Sequence, residues 1–304
     1  MRVLFTSKSS SGAWKIRGCQ VASTCSRWIA SNEPTTSEIV DSDIVCVVKK
    51  TNRALIEKCR ELNKIIVLDI VDFWPQPHSE TTFLVSAESK QVVIDEINKI
   101  QPDGLIFPNR AMWIDFHKFF PAIPSTYIYH HFRPEFDDIL ERIPQPQLII
   151  AYEGGNYLGE WHDVFQQIAV QQGASFVVNP DTLLNADVIV SARSTKFQTY
   201  LNCNYKSNVK AANAIGALKP FVCHDFERSA HEIDPGSFLF FSDEQSLRRQ
   251  LERALYDSDF QTSNSRLMSQ MRQRFSLAVI STEFELFFES VVGWYHKFPR
   301  SSSN

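Results

Sequence analysis

The stretch Ser207-Asn-Val-Lys-Ala-Ala-Asn-Ala-Ile-Gly-Ala-Leu-Lys-Pro-Phe-Val222 is the most informative part of the chain for its fold. Ser207 or Asn208 can cap a helix, because either side chain offers an oxygen to the free N–H groups at a helix start. The alanines that follow suit a helix that lies close to a sheet, and the glycine near its end is a typical terminator. Pro220 then introduces an apolar run of the kind found in buried strands. The stretch therefore predicts a helix over about 208–217 that leads directly into a buried strand.

Short apolar runs alternate with helical patterns on both sides of this stretch. Such runs are typical of parallel strands that are buried on both faces, and their alternation with helices is typical of an α/β protein. We predict strands over 2–5, 43–48, 65–69, 104–107, 126–129, 148–152, 174–178, 187–190, 220–223 and 238–241.

The alternation is interrupted once, at Arg142-Ile-Pro-Gln-Pro-Gln147. Two prolines in a polar hexamer favour an extended linker. The sequence thus predicts a first domain over 1–143, a second over 144–276 and a final segment over 277–304. The helix within that segment is too apolar to remain exposed, so we expect it to pack on the first domain and to end in a disordered tail.

Composition excludes several classes of protein. The 304 residues include 31 Lys and Arg against 35 Asp and Glu, a net charge of −4, which argues against a general nucleic-acid or membrane-surface binder. No run approaches the roughly 20 apolar residues of a membrane span, and the opening run is too short for a signal peptide. The six cysteines show no metal-ligand spacing, which favours reduced thiols in a cytoplasmic protein and no metal site.

Three cations surround the predicted start of the helix. Lys206 precedes it, Lys210 lies in its first turn, and Arg193 follows an earlier strand. A helix N-terminus already favours anions through its free N–H groups and its dipole, and nearby cations strengthen that preference. The pattern predicts an anion site, although a capped helix with solvated lysines would have the same sequence. After the first strand, Ser7-Lys-Ser-Ser-Ser-Gly12 matches neither the G-x-G-x-x-G nor the Walker pattern.

The stretch resembles the donor-binding segment of GT-B glycosyltransferases, whose second half carries a pattern like Asn-Lys…Glu-Ala-x-Ala-x-Gly-x-Pro-Val. The segments 148–155 and 187–193 resemble the strands and loops that precede it in that family. The resemblance implies two facing Rossmann-like domains with the final helix crossing back to the first. It also implies a nucleotide-diphosphate sugar as donor, a glycan, lipid-linked or other hydroxyl acceptor, and no cofactor or metal.

The resemblance also implies the residues that bind the donor. They are polar or basic side chains and turn glycines at the strand ends of the second domain: Gly154, Gly155, Arg193, Lys206, Asn208, Lys210, Asn213, Glu227, Ser229 and Glu232. One departure stands out. Retaining members carry two glutamates eight positions apart, where this chain has Tyr205 and Asn213. The stereochemical outcome therefore stays open, and so does the alternative that the protein binds a donor without turning it over.

Candidate catalytic residues lie in the first half. Asp69 and Asp72 follow a buried strand and could accept the proton of an acceptor hydroxyl, or could cap the next helix instead. His131 ends the last strand, where GT-B enzymes often place a histidine that faces the donor. Trp74 offers a flat face to a sugar. The loop of Ser10, Ser11 and Gly12 completes the expected acceptor side.

We interpret the sequence as a GT-B glycosyltransferase whose cations and helix start stabilise the departing diphosphate. Closure of the domains about the linker would exclude water. Three alternatives stay open: a nucleotide-sugar epimerase, another transferase on the same scaffold, and an inactive sugar-nucleotide-binding protein. A DNA-base glycosyltransferase has no support from the net charge of −4.

Overall fold

A computed structural model describes residues 1–50, 52–72, 86–138, 147–155 and 157–298 of the chain. The first half forms a six-stranded parallel sheet with the order β2-β1-β3-β4-β5-β6. Its strands are β1 (Val3–Thr6), β2 (Trp28–Ala30), β3 (Ile44–Val48), β4 (Ile65–Asp69), β5 (Gly104–Phe107) and β6 (Ser125–Tyr127). Most of these residues are fully buried because helices cover both faces, as parallel sheets require.

The second half forms a five-stranded parallel sheet with the order β11-β10-β9-β7-β8. Its strands are β7 (Leu148–Tyr152), β8 (Ala174–Val178), β9 (Val188–Ser191), β10 (Phe221–His224) and β11 (Leu239–Phe241). The predicted α/β class with two Rossmann-like halves is confirmed. The boundary expected at 143/144 lies outside the described residues.

Helices connect the strands in both halves. They are α1 (Gly12–Trp14), which continues as a π-helix (Lys15–Gln20), α2 (Thr36–Asp41), α3 (Arg53–Glu61), α4 (Ser86–Ile100), α5 (Arg110–Phe116), α6 (Trp161–Gln171), α7 (Tyr200–Asn204), α8 (Val209–Gly216), α9 (Arg228–Ile233), α10 (Glu244–Tyr256), α11 (Ser258–Arg272) and α12 (Leu277–Lys297). Side-chain caps fix several of their starts: Asn52 caps α3, Asn109 caps α5 and Ser276 caps α12. Within the described residues, no helix is both long and apolar enough to cross a membrane.

The final helix crosses back to the first domain, as expected. Phe288 of α12 lies 5.9 Å from both Phe5 and Trp28, measured between ring centroids. Val291 covers Gly104, where an added Cβ would lie only 2.7 Å from the valine methyl. Burial of each such large apolar side chain contributes about 1.5–3 kcal/mol, which explains why this apolar helix is not left in solvent.

The two halves also share a buried boundary at α7. Leu201 and Tyr205 belong to the second half of the chain, yet both pack in the apolar core of the first domain. Gly216 at the end of α8 approaches Phe132 so closely that a Cβ there would lie 2.4 Å from the ring. The two sheets are thus joined by packing as well as by the linker. The carboxyl ends of their strands face each other across a cleft.

Candidate functional site

The cleft between the two sheets has a volume of about 210 Å³. It lies at the carboxyl ends of the strands, where open parallel sheets bind ligands. The first domain contributes Lys49 and Asp72. The second domain contributes the glycine turn after β7, two tyrosines, the helix starts and the cations, namely Tyr152, Gly154, Gly155, Tyr157, Arg193, Lys206, Asn208, Lys210, Glu227 and Ser229.

The structure brings Arg193, Lys206 and Lys210 together in this cleft. Arg193 is only 8% exposed, and its guanidinium lies 5.7 Å from the ring of Tyr157. Among the described residues, its Nε atom has no hydrogen-bond partner. A buried donor without a partner is costly unless a ligand or water supplies the acceptor. The three cations therefore form a site suited to an anion.

Asn208 precedes α8 but does not cap it. Its side-chain oxygen accepts a hydrogen bond from the His130 backbone N–H at 2.8 Å, and its amide donates to the His130 carbonyl at 3.4 Å. The start of α8 consequently has no side-chain cap. Free N–H groups and the positive end of the helix dipole add to the cations around the cleft.

Lys210 lies in a buried polar cluster at the base of the cleft. Its Nζ is 3.2 Å from the Ser191 hydroxyl and 4.2 Å from the centre of the Tyr152 ring. Ser191 donates in turn to Glu227 at 2.5 Å. Burial lowers the pKa of the Lys210 ammonium to about 8, since the charged form is poorly solvated. A bound anion would restore the charge that burial disfavours.

Glycine at position 154 makes room for this cluster. Its φ of +151° lies in the region that favours glycine. A Cβ there would lie 2.9 Å from the Tyr152 hydroxyl oxygen and 3.3 Å from Lys210 Cε. A side chain at this position would therefore displace Lys210 or Tyr152.

Asp72 links the two domains across the cleft. Its carboxylate lies 2.7 Å from Nζ of Lys49, in its own domain, and 3.4 Å from Nζ of Lys206, in the other. Burial alone would raise the pKa of Asp72, but Lys206 and Lys49 together hold it below its usual value. The carboxylate thus occupies part of the site where the three cations would hold an anion.

Asp69 has a different role from the one expected of it. Both of its carboxylate oxygens bind the Arg17 guanidinium, at 2.8 and 2.9 Å, and both side chains are fully buried. Arg17 also donates to the carbonyls of Ile128 and Tyr129 at 3.0 Å. Because this pair is closed to solvent and to the cleft, we withdraw Asp69 as a candidate base.

Three further candidates, Glu232, Asn213 and His131, lie beneath the cleft rather than in it, and Tyr205 lies there with them. Glu232 accepts from the Arg110 and Ala111 N–H groups at the start of α5, and Asn213 accepts from the Arg133 N–H. His131 is buried, with its ring nitrogens 2.7 and 3.2 Å from the carbonyls of Phe132 and Ile16. Tyr205, which stands where retaining members have a glutamate, donates to Asp115 of the first domain at 2.6 Å. Glu232, Asn213 and Tyr205 therefore join the two domains, whereas His131 bonds only within the first domain.

Asn109, which the sequence did not reveal, belongs with these groups to a polar network beneath the cleft that joins the two domains. Asn109 accepts from the Met112 N–H at 2.8 Å as the cap of α5. Its amide group donates across the boundary to the carbonyls of Asn204 and Lys206, at 3.0 and 2.9 Å. Asn109 therefore holds the loop that carries Lys206.

The remaining expected residues are dispersed. Ser10, Ser11 and Gly12 line neither this cleft nor the larger cavity beside it, although the adjacent Lys8 and Ser9 line that cavity. Trp74 and the Pro144–Pro146 hinge lie outside the described residues. Sequence reasoning missed Lys49, Tyr152 and Tyr157, which line the cleft, and Ser191, which contacts Lys210. Tyr152 and Ser191 end strands and Lys49 follows one, and this position is the signal that could have found them. No cluster of metal-ligating side chains occurs in the described ranges.

Comparison with known proteins places the architecture in a fold class. No family model matches the chain, and no curated sequence matches it significantly. Among solved structures, Anabaena HepE in complex with UDP and glucose is similar at a TM-score of 0.63 and 11% identity, over 95% of this chain and 100% of HepE. An α,α-trehalose-phosphate synthase from Burkholderia vietnamiensis is similar at 0.61 and 11%, over 95% of this chain and 100% of the synthase. Sucrose-phosphate synthase from Thermosynechococcus elongatus is similar at 0.62 and 11%, over 96% and 100%. The chain thus has the GT-B fold of glycosyltransferases.

Proposed function

We propose that the protein is a glycosyltransferase that takes a sugar from a UDP-sugar and transfers it to a hydroxyl acceptor. The observation that carries the proposal is the convergence of Arg193, Lys206 and Lys210 at an uncapped helix start in the cleft. Support comes from the GT-B fold and from the UDP and glucose bound to HepE. We also propose that the protein acts in the cytoplasm and requires no metal or cofactor.

The chemistry of transfer explains why this site needs cations. The bond between the anomeric carbon and the diphosphate oxygen breaks, and its electron pair leaves with the diphosphate. The acceptor oxygen forms the new bond to carbon, and its proton passes to a base. Charge accumulates on the diphosphate, so fixed cations and N–H groups around it lower the barrier.

Asp72 is the candidate base. Its basicity depends on whether the donor is bound, because Lys206, which contacts the carboxylate, also contacts the donor in this proposal. Lys206 and Lys49 hold its pKa low, so it is a weak base in the free protein. A diphosphate in the cleft competes with Asp72 for Lys206, whose Nζ lies 3.4 Å away from the carboxylate. Withdrawal of Lys206 raises the basicity of Asp72. Donor binding would then precede activation of the acceptor.

A screen of thermal stability against UDP, GDP, ADP and their sugars tests the donor, because a ligand at 100 times its Kd stabilises by about 2.7 kcal/mol. We expect UDP and a UDP-sugar to give the largest shift. Release of UDP that depends on an added acceptor then tests transfer, while consumption of the sugar nucleotide without an acceptor would favour an epimerase. Absence of any nucleotide shift would refute the proposal.

A second candidate is a sugar-nucleotide-binding protein without turnover. It is favoured by the tyrosine and asparagine at positions 205 and 213, both of which bind across the domain boundary. Binding of UDP-sugar without release of UDP across a broad acceptor panel would select it.

A further inference from the structure

A second cavity lies in the first domain beside the cleft. Its volume is about 360 Å³, and it lies next to the loops that follow β1 and β3. Lys8, Lys49 and Lys50 line it. Lys49 also lines the donor cleft, so the two cavities share this side chain as a wall.

The backbone holds these lysines in place. Lys49 has a φ of +62°, a conformation that is uncommon outside glycine and is often found at ligand sites. Its N–H donates to the Asp69 carbonyl at 2.8 Å, and the Lys8 N–H donates to the Lys50 carbonyl at 2.9 Å. The loops after β1, β3 and β4 are therefore tied together, and their lysines surround one space.

The lining combines this charge with an apolar wall. Leu68 and Ile70 of the β4 segment and Val93 and Ile97 of α4 supply the wall. Among the described residues of the lining, Glu96 is the acidic one, and its carboxylate accepts from Lys99 at 2.6 Å. A chain with a net charge of −4 thus concentrates three lysines around one cavity. Lysine ammonium groups favour phosphate over the neutral hydroxyls of a sugar.

We propose that this cavity binds the acceptor through a phosphate group, and this rests on the proposed transfer function. The phosphate lies against Lys8 and Lys50, and the acceptor hydroxyl points past Lys49 towards the donor cleft. Asp72 lies 2.7 Å from Lys49, so a hydroxyl beside that lysine is within reach of the candidate base. Two neighbouring cavities would then present both substrates to one carboxylate.

Calorimetry with inorganic phosphate tests the site directly. The protein is first saturated with UDP to occupy the donor cleft, and the ionic strength is held constant with chloride. We expect saturable phosphate binding that weakens about tenfold in the double variant Lys8→Gln/Lys50→Gln. The exposed Lys297→Gln is the matched control and should bind phosphate like the unmodified protein. No phosphate binding, or binding that the double variant retains, would overturn the proposal.

Two more probes identify the source of the phosphate. Glucose 6-phosphate is compared with glucose, and vesicles containing phosphatidylinositol phosphate, whose headgroup carries a phosphate monoester, are compared with vesicles of phosphatidylcholine alone. Tighter binding of either phosphorylated probe, lost in the double variant, supports the site and assigns it to a soluble or a lipid acceptor. Equal binding of each phosphorylated probe and its neutral partner contradicts it. The affinity for UDP is measured first, and it separates the phosphate site from the proposed transfer function. If UDP binds and phosphate does not, only the phosphate site is refuted.

Discussion

The cleft and the polar network beneath it are built from similar residues but use them differently. In the network, Arg17 binds Asp69, and Asn109, Asn208 and Glu232 bind backbone groups across the domain boundary. In the cleft, Arg193 keeps a buried Nε without a partner in the described part of the chain. Polar groups with every partner in place stabilise a structure, whereas cations short of partners are available to a ligand.

The polar network restricts the opening and closing of the two domains. The sequence predicts closure of the domains about the linker, but the boundary is joined by hydrogen bonds and by Tyr205 and Leu201 in the core of the first domain. Such contacts would have to break for the domains to open widely. We therefore expect a donor cleft that is largely preformed.

The largest effect is expected in the network. Asp69→Asn leaves Arg17 buried with an incomplete partner, and breaking a buried ion pair costs about 3–5 kcal/mol. Urea denaturation measures the loss in the free energy of unfolding. The exposed Asp163→Asn is the control and should stay within about 0.5 kcal/mol of the unmodified protein. A normal stability for Asp69→Asn would contradict the structural role of this pair.

The next effect is expected in the cleft. Arg193→Ala and Lys206→Ala each remove a charged contact to the diphosphate, which should weaken UDP binding about tenfold or more. Calorimetric titration measures the affinity, and Lys196→Ala, an exposed cation in the same loop as Arg193, is the matched control. Unchanged UDP affinity in both cleft variants would make the start of α8 an ordinary helix N-terminus.

Asp72→Asn should change affinity and rate in opposite directions. Removal of the carboxylate frees Lys206 and deletes a negative charge from the site, so UDP should bind roughly threefold tighter or more. Transfer should nonetheless slow, because the base is lost. Affinity is measured by calorimetry and rate by UDP release. If UDP binds more weakly in Asp72→Asn, the carboxylate supports the donor site instead of competing with the donor.

The smallest expected effect is a pH dependence. Lys210 is charged below its pKa of about 8 and neutral above it, so UDP affinity should fall about threefold between pH 7 and pH 9. The second ionisation of the terminal phosphate of UDP has a pKa of about 6, so it is largely complete at pH 7, and its completion above pH 7 would strengthen binding instead of weakening it. In Lys210→Gln the fall should disappear, and persistence of the fall would assign it to another group.

The lowered pKa of Lys210 also predicts how the stability of the protein depends on pH. Because the folded pKa of Lys210 lies below its unfolded value, the unfolded chain binds more protons between the two. The contribution of this group to stability therefore rises with pH above about 8.

Sequence patterns predicted the sheets because apolar runs report burial directly. They missed β2, a three-residue edge strand in which Ile29 is 40% exposed. They also predicted that Arg193, Lys206 and Lys210 converge, since loops and a helix start at adjacent strand ends meet at one edge. They could not separate Asp69 from Asp72, because the partners that decide their roles, Arg17 and Lys206, lie 52 and 134 residues away along the chain.

The central claim is that the cleft recognises a diphosphate, and a comparison of UDP with uridine by calorimetry tests it most directly. Each charge-assisted contact contributes about 1.5–3 kcal/mol, so two or more contacts should make UDP bind at least about 100-fold tighter than uridine. Uridine shares the base and the ribose and lacks only the phosphates. We expect this difference to shrink in Lys206→Ala. Equal affinity for UDP and uridine in the unmodified protein would contradict it.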